Sequence, residues 1–236
     1  MGIFLLAYLV YSMARWVAVG SVPSATAHAH WIVDLERSTS TNIEANVQQA
    51  LTGTFVLWIL NHLYLAAQLI VVPGALYVLY RKSQPAYERL RNTILATWLI
   101  SIPVYALFPV APPRLAGIGM VDTITRQTGF AMDSKLTTHF YNQFAAVPSL
   151  HVGFAFAVGI ALAAATSNRW LKLLAHLWGP AIALAVVATG NHFVFDIVAG
   201  VIAAALGYGI GVLVARAGEY RTRTARLPLQ LAGART

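Results

Sequence analysis

The sequence predicts an all-α integral membrane protein with six transmembrane helices, built as one membrane domain over residues 1–236. Three observations carry that expectation. Hydrophobic residues make up 58% of the 236 residues and charged residues only 10%, against roughly 45–50% and about 25% in soluble domains. Six apolar runs approach the ~20 residues needed to cross a hydrocarbon core of about 30 Å. Lys and Arg are shared unevenly between the loops that join those runs. Together with a mean hydropathy of +0.65, these numbers argue against disorder, a coiled coil or an ordinary soluble globule. The absence of Cys excludes disulfide scaffolds, thiol catalysis and Cys-based metal sites. The net charge is +8, from 16 Lys and Arg against 8 Asp and Glu. In a membrane chain that excess sets topology or attracts anionic lipid, so no nucleic-acid partner is expected.

The first run, about 2–20, could pass for a signal peptide, and Ala25-Thr26-Ala27 offers a cleavage-type sequence. No Lys or Arg precedes it and Arg15 lies inside it, so it reads as a retained span. Thr41-Asn42-Ile43-Glu44 has capping-box spacing. A helix is therefore expected near residue 42 of the 21–51 loop, partly interfacial, turning into the second span near Gly53. That second run, 52–80, is too long for one plain crossing, and Pro73-Gly74 predicts a kink in it. The remaining runs lie at 93–110, 150–167, 171–189 and 193–215. Gly153, Ala157, Ala161 and Ala165 recur every four residues, as do Ala199, Ala203, Gly207 and Gly211. Such ridges let the helix backbones of the last spans approach closely in lipid, although Ala and Gly are also simply common in membrane helices.

The loops then fix the orientation. Arg81, Lys82, Arg89, Arg91, Arg169, Lys172 and the five arginines from Arg216 onward fall on one side. Only Arg37, Arg114, Arg126 and Lys135 fall on the other. The positive-inside rule puts both termini, including the basic 216–236 tail, in the cytoplasm. The 21–51 and 111–148 loops, and the turn before His192, are expected outside.

Ionisable groups at membrane depth are costly, so each is a functional hypothesis. Three clusters stand out: Pro109-Val110-Ala111-Pro112-Pro113-Arg114, Pro148-Ser149-Leu150-His151, and Asn191-His192-Phe193-Val194-Phe195-Asp196. The topology, drawn from apolar runs and loop charge alone, gathers all three at one face, with a catalytic core at about 90–215. His192 and Asp196 are four apart and share a helix face. A carboxylate there can fix the imidazole tautomer and leave the other nitrogen as base or nucleophile. Ser149 occupies a helix N-cap position, where free N–H groups favour an anion. His151 follows two residues on, and Arg114 supplies a planar fork for phosphate oxygens. That set suits phosphoryl transfer through a phosphohistidine.

These motifs resemble those of the type 2 phosphatidic acid phosphatase superfamily, which includes lipid phosphatases and, as soluble relatives, vanadium haloperoxidases. The family's Pro-Ser-Gly-His motif is matched by Pro148-Ser149-Leu150-His151, with Leu in place of Gly. Its closing His-x-x-x-Asp is matched by His192 and Asp196. The segment Ala145-Ala146-Val147-Pro148-Ser149-Leu150-His151-Val152-Gly153, with Thr189-Gly190-Asn191-His192 and Pro109-Val110-Ala111-Pro112-Pro113-Arg114, is similar to the inositol phosphorylceramide synthase-like branch. The resemblance implies a helical bundle of the phosphatidic acid phosphatase/haloperoxidase kind and a lipid phosphate substrate in the plasma membrane. It implies that His192 attacks phosphorus, Asp196 orients it and His151 protonates the leaving oxygen. Arg114, Ser149 and the N–H of Leu150 would hold the phosphate, with no metal or other cofactor. Two of the family's cations are missing: its Lys falls at Leu107 and its second Arg at Val186. Arg126, Lys135 or Arg15 are expected to replace them. Asn191, and Tyr141 and Asn142 in the 111–148 loop with His139, are candidates for a substrate pocket or its lid. Asn61, His62 and Gln68 either line that pocket or bond between helices. His28-Ala29-His30 reads as incidental rather than as a metal pair. The leading function is hydrolysis of a lipid phosphate ester, with phosphotransfer to a lipid or sugar hydroxyl as the close rival. A non-catalytic lipid-binding or transport protein is the alternative of another class.

Overall fold

The computed structural model describes residues 21–132, 134 and 142–233, with side chains through residue 216. The described chain is helical. Two short helices, α1 (Val22–Ser38) and α2 (Glu44–Leu51), precede the long ones. Then come α3 (Phe55–Lys82), α4 (Gln84–Leu107), a 3₁₀ turn (Pro113–Leu115) and α5 (Thr123–Thr128). The last three are α6 (Leu150–Ala164), α7 (Arg169–Ala188) and α8 (Val194–Gly233).

Among the described residues, four helices are long and apolar enough to cross a membrane: α3, α4, α7 and the Val194–Arg216 part of α8. α6 is apolar but only 15 residues long. The first expected span lies outside the described residues. α4 begins at Gln84, ahead of the apolar run that starts at 93, because Pro85 suits the first turn of a helix. Where Pro73-Gly74 predicts a kink, the second span carries a π turn over Ala67–Val71, just ahead of Pro73. There the N–H of Val72 reaches back five residues to the carbonyl of Ala67, an irregularity that often accompanies a bend.

α6 is the centre of the bundle, with α4, α7 and α8 packed around it. Small residues allow this. A Cβ on Gly153 would lie 2.8 Å from the carbonyl oxygen of Gly200, and one on Gly200 would collide with the Ser149 carbonyl. The residues of α8 that Gly153 meets are Gly200 and Ala204, however, which lie outside the expected ridge. Gly207 and Gly211 meet Thr93 and its neighbours on α4, not α6. Lipid-facing side chains such as Leu99, Ile160, Leu174 and Leu213 stay exposed, as expected where the solvent is hydrocarbon.

The 21–51 region differs most from the sequence reading. Residues 22–38 form a full helix, started by Ser21, whose hydroxyl accepts from Ser24 N–H, and by Pro23. Its buried stripe is Ala25, Ala29, Ile32, Val33 and Glu36. The four apolar members pack with Val110, Ala111, Ala146, Val147 and Phe193 in one apolar cluster at the motif-bearing end of the bundle. The capping box does not form. Ile43 is the N-cap of α2 and makes no side-chain cap bond, while Glu44 is the first helical residue. The Glu44 carboxylate instead accepts from Val194 N–H at 2.8 Å, 150 residues away. The non-local acceptor role won over the local one.

Candidate functional site

The three polar clusters meet at one end of the bundle. α7 ends at Ala188, and the turn Thr189–Phe193 leads straight into α8. Gly190 has φ +72°, a left-handed value that costs L-residues energy and that glycine adopts freely. The carbonyl of Gly190 accepts from Arg114 N–H at 2.9 Å. The turn and the 3₁₀ segment are thereby held together.

His192 is 4% exposed and Asp196 is fully buried. Nδ1–H of His192 donates to Asp196 Oδ2 at 3.2 Å, which leaves Nε2 free of that bond. The same Oδ2 accepts from Phe193 N–H at 2.9 Å. Asp196 is thus the third residue of α8 reaching back to its N-cap, the reciprocal half of a capping box. One carboxylate both starts the helix and fixes the imidazole tautomer.

Ser149 caps α6 by accepting from Val152 N–H at 3.4 Å, and its own N–H donates to the Asp196 carbonyl at 3.1 Å. The N–H groups of Leu150 and His151 have no partner among the described residues. His151 lies one residue inside α6, its ring stacked on Tyr64 of α3 at 4.1 Å between centroids. The His151 and His192 rings are 6.1 Å apart, so both can address one small group between them. Tyr105 of α4 donates to the Pro148 carbonyl at 2.8 Å and fixes the entry to α6.

Arg114 is anchored rather than free. Its Nε donates to Asn191 Oδ1 at 3.1 Å and its Nη1 stands 3.9 Å from Asp122. Asn191 is held in turn by Thr189, whose Oγ1 accepts from Nδ2 at 2.9 Å. Beside Arg114 opens a cavity of about 440 Å³, also lined by Asp122, Thr125, Arg126 and Ser134. Of the expected substitute cations, Arg126 therefore shares a cavity with Arg114, while Lys135 and Arg15 lie outside the described residues. Leu107 is 83% exposed at the end of α4 and Val186 is fully buried among apolar side chains, so neither position offers a charge.

Other candidates resolve less evenly. Asn142 is buried and turns its carboxamide oxygen to Phe144 N–H at 3.0 Å, an internal loop bond. Tyr141 and His139 lie outside the described residues. Asn61 bonds between helices: Nδ2 donates to Gln127 at 2.7 Å, and Oδ1 accepts from Thr123 at 2.8 Å. His62 sits exposed against Trp58 of its own helix. His28 and His30 bond to the carbonyls of Pro109 at 2.7 Å and Ala116 at 2.9 Å. Those bonds hold α1 against the segment that carries Arg114.

Sequence reasoning missed Tyr64, Glu36, Glu44 and Gln48. Gln48 Oε1 accepts from Val121 N–H, and its Nε2 donates to the carbonyls of Val121 and Ala188, tying α2 to both neighbours of the site. One signal was available: Tyr64 shares a helix face with Leu57, Leu60 and Asn61, all buried.

No curated protein and no solved structure matches the chain. A profile of the PAP2 superfamily matches residues 30–210, which takes in the second half of α1, all of α2 and all three motifs. With more than half of the chain inside that match, and the His192–Asp196 pair, His151 and Arg114 gathered at one end of an apolar bundle, the chain belongs to the PAP2 superfamily of phosphatases and phosphotransferases.

Proposed function

We propose that this membrane protein hydrolyses a phosphate ester of a lipid at the extracytoplasmic face, through a phosphohistidine on His192. The observation that carries the reading is the His192–Asp196 bond at 3.2 Å beside a second imidazole 6.1 Å away. A pocket for binding alone has no need of an oriented nucleophile next to a proton carrier.

In this reading Nε2 of His192 attacks phosphorus and the P–O bond to the leaving group breaks. His151 gives its proton to the departing oxygen. Water then attacks the phosphohistidine, passing a proton back to His151 and releasing phosphate. Asp196 balances the charge on the imidazolium. Arg114, held by Asn191, and the N–H groups of Leu150 and His151 with the Ser149 hydroxyl surround the phosphoryl oxygens. Arg126, across the same cavity, supplies a second cation. The face is read from the loop charge, which puts both termini in the cytoplasm, and the plasma membrane is the proposed location.

A second reading is supported by the cation count. Leu107 and Val186 stand where the family resemblance calls for Lys and Arg. A phosphodiester carries one negative charge fewer than a terminal monoester, so a thinner cation set suits it. The enzyme would then pass a phospho-headgroup to a lipid or sugar hydroxyl, as in the phosphorylceramide synthase-like branch. The test uses purified protein in lipid micelles with phosphatidic acid, phosphatidylglycerol phosphate, polyprenyl pyrophosphate and phosphatidylinositol, following free phosphate and lipid products together. Phosphate release that needs His192 and is blocked by vanadate supports the phosphatase. A new phosphorylated lipid appearing only with an added hydroxyl acceptor supports the transferase. Neither product from any substrate would sink both.

A further inference from the structure

Two buried carboxyl groups at the site have no part in the chemistry above. Glu36, from α1, is 2% exposed, and Glu44, from α2, is 1% exposed. Each reaches the N-terminus of α8. Glu44 Oε1 accepts from Val194 N–H at 2.8 Å, and Glu36 Oε1 accepts from Phe195 N–H at 2.7 Å. With Asp196 taking the Phe193 N–H, three successive donors of the helix that carries Asp196 end on three carboxylates from three helices. A helix end ordinarily caps itself with one side chain. This one is capped twice in trans.

Glu36 Oε2 is buried with no donor facing it among the described residues. The Glu44 carboxyl holds the neighbouring N–H of the same helix start and is close enough to act on Glu36 through a hydrogen bond and like charge, and a hydrogen bond between two such acceptors needs a proton shared between them. We propose that Glu36 and Glu44 form a proton-sharing clamp on the start of α8, and that this clamp positions the His192–Asp196 pair for the reaction. The inference rests on the phosphohistidine reading for its kinetic half only.

The surroundings agree. Burial first, then the Glu44 carboxyl, and the more distant Asp196, push Glu36 up to about 8 from an ordinary 4.5, although its bond from Phe195 N–H works the other way. The titratable and charged groups around Glu36 are otherwise committed. His192 is bonded to Asp196, His28 and His30 to backbone carbonyls, and Asp34 and Arg37 to each other at the exposed surface. No cation among these neutralises a second charge. With the folded value raised, the clamp's contribution is complete below about 4.5 and is lost as pH climbs through about 8. Two carboxylates then face each other, and the start of α8 loosens.

The test pairs rate measurements with hydrogen exchange of the 190–200 segment, because exchange reads the clamp whether or not the protein proves to be a phosphatase. In the wild type, kcat should fall and exchange at Val194 and Phe195 should quicken together as pH passes about 8. Glu36→Ala and Glu44→Ala should lower kcat roughly 10- to 100-fold with little change in KM, the effect of a misplaced reacting group. Glu36→Gln keeps an acceptor for Phe195 N–H and gives Glu44 a permanent donor. It should restore most of that loss and remove both the alkaline fall in kcat and the accompanying loss of exchange protection. If Glu36→Gln keeps the wild-type alkaline fall and exchange, the shared proton does not exist and the proposal is overturned. Full kcat in the Ala variants, if they fold, would also overturn it. No turnover by wild type on any substrate, with pH-dependent exchange intact, would leave the clamp standing and strike down the phosphohistidine reading instead.

Discussion

The N-termini of α6 and α8 lie side by side at the site, and they are finished in opposite ways. α8 meets three carboxylates, Asp196, Glu44 and Glu36, one on each of three successive N–H groups. α6 has only its own Ser149, accepting from Val152 at 3.4 Å, and its first two N–H groups have no partner among the described residues. Both ends carry the partial positive charge of a helix start. On α8 that charge is met by the protein's own carboxyl groups, one of which also accepts from the His192 imidazole. On α6 it remains available to an incoming anion. In the proposed reading the chain separates two tasks, positioning a nucleophile and holding phosphate, onto two neighbouring helix ends.

Substitutions can break or sharpen that contrast. The largest effect belongs to the α8 side. His192→Ala should abolish turnover, by roughly 10³-fold or more, with an unchanged thermal midpoint and circular dichroism. Residual turnover close to wild type would remove the nucleophile from α8. Next, Ser149→Asp gives α6 the kind of cap that α8 has. Aspartate caps a helix as well as serine, so stability should hold, but the added charge should raise KM about 100-fold by facing the phosphate. An unchanged KM would show that α6 does not hold the anion.

His151→Ala should cost about 100-fold on lipid esters, whose leaving oxygens need a proton. It should cost far less on a nitrophenyl ester, which leaves as a stable anion. Equal losses on both would take the acid role from His151. The smallest expected change is mechanical. Gly200→Ala drives a methyl into the Ser149 carbonyl, so α6 and α8 must part. A loss of about 1–3 kcal/mol in stability is expected, read from a denaturation midpoint, with kcat falling alongside as the two helix ends lose register.

The same contrast explains what was legible in the sequence. The start of α6 and the His192–Asp196 pair follow local rules: an N-cap serine and an i,i+4 spacing. These were readable, and the structure gathers them as expected. The other two carboxylates of the α8 clamp were not. Glu44 looked like the closing residue of a box begun by Thr41, because that is the local use of such spacing. Its actual partner is 150 residues on, a pairing no local pattern encodes. α1 was also passed over. Its stripe of Ala25, Ala29, Ile32, Val33 and Glu36 has helical spacing, but His28, His30 and Ser24 between them dilute the apolar signal that marked the long helices.

The brevity of α6 reaches beyond the site. Fifteen residues rise only about 22 Å at 1.5 Å each, short of a hydrocarbon layer of about 30 Å. The neighbouring helices α4 and α7 are 24 and 20 residues long. The bilayer must therefore dimple over α6, or the phosphate must sink below the plane of the surrounding headgroups to reach Ser149. If the proposed lipid reading holds, acyl length should bear on this site, with activity changing between vesicles of short- and long-chain lipids. Thin membranes bring headgroup and helix end to one level, whereas thick ones demand deformation at a fraction of a kcal/mol per ångström.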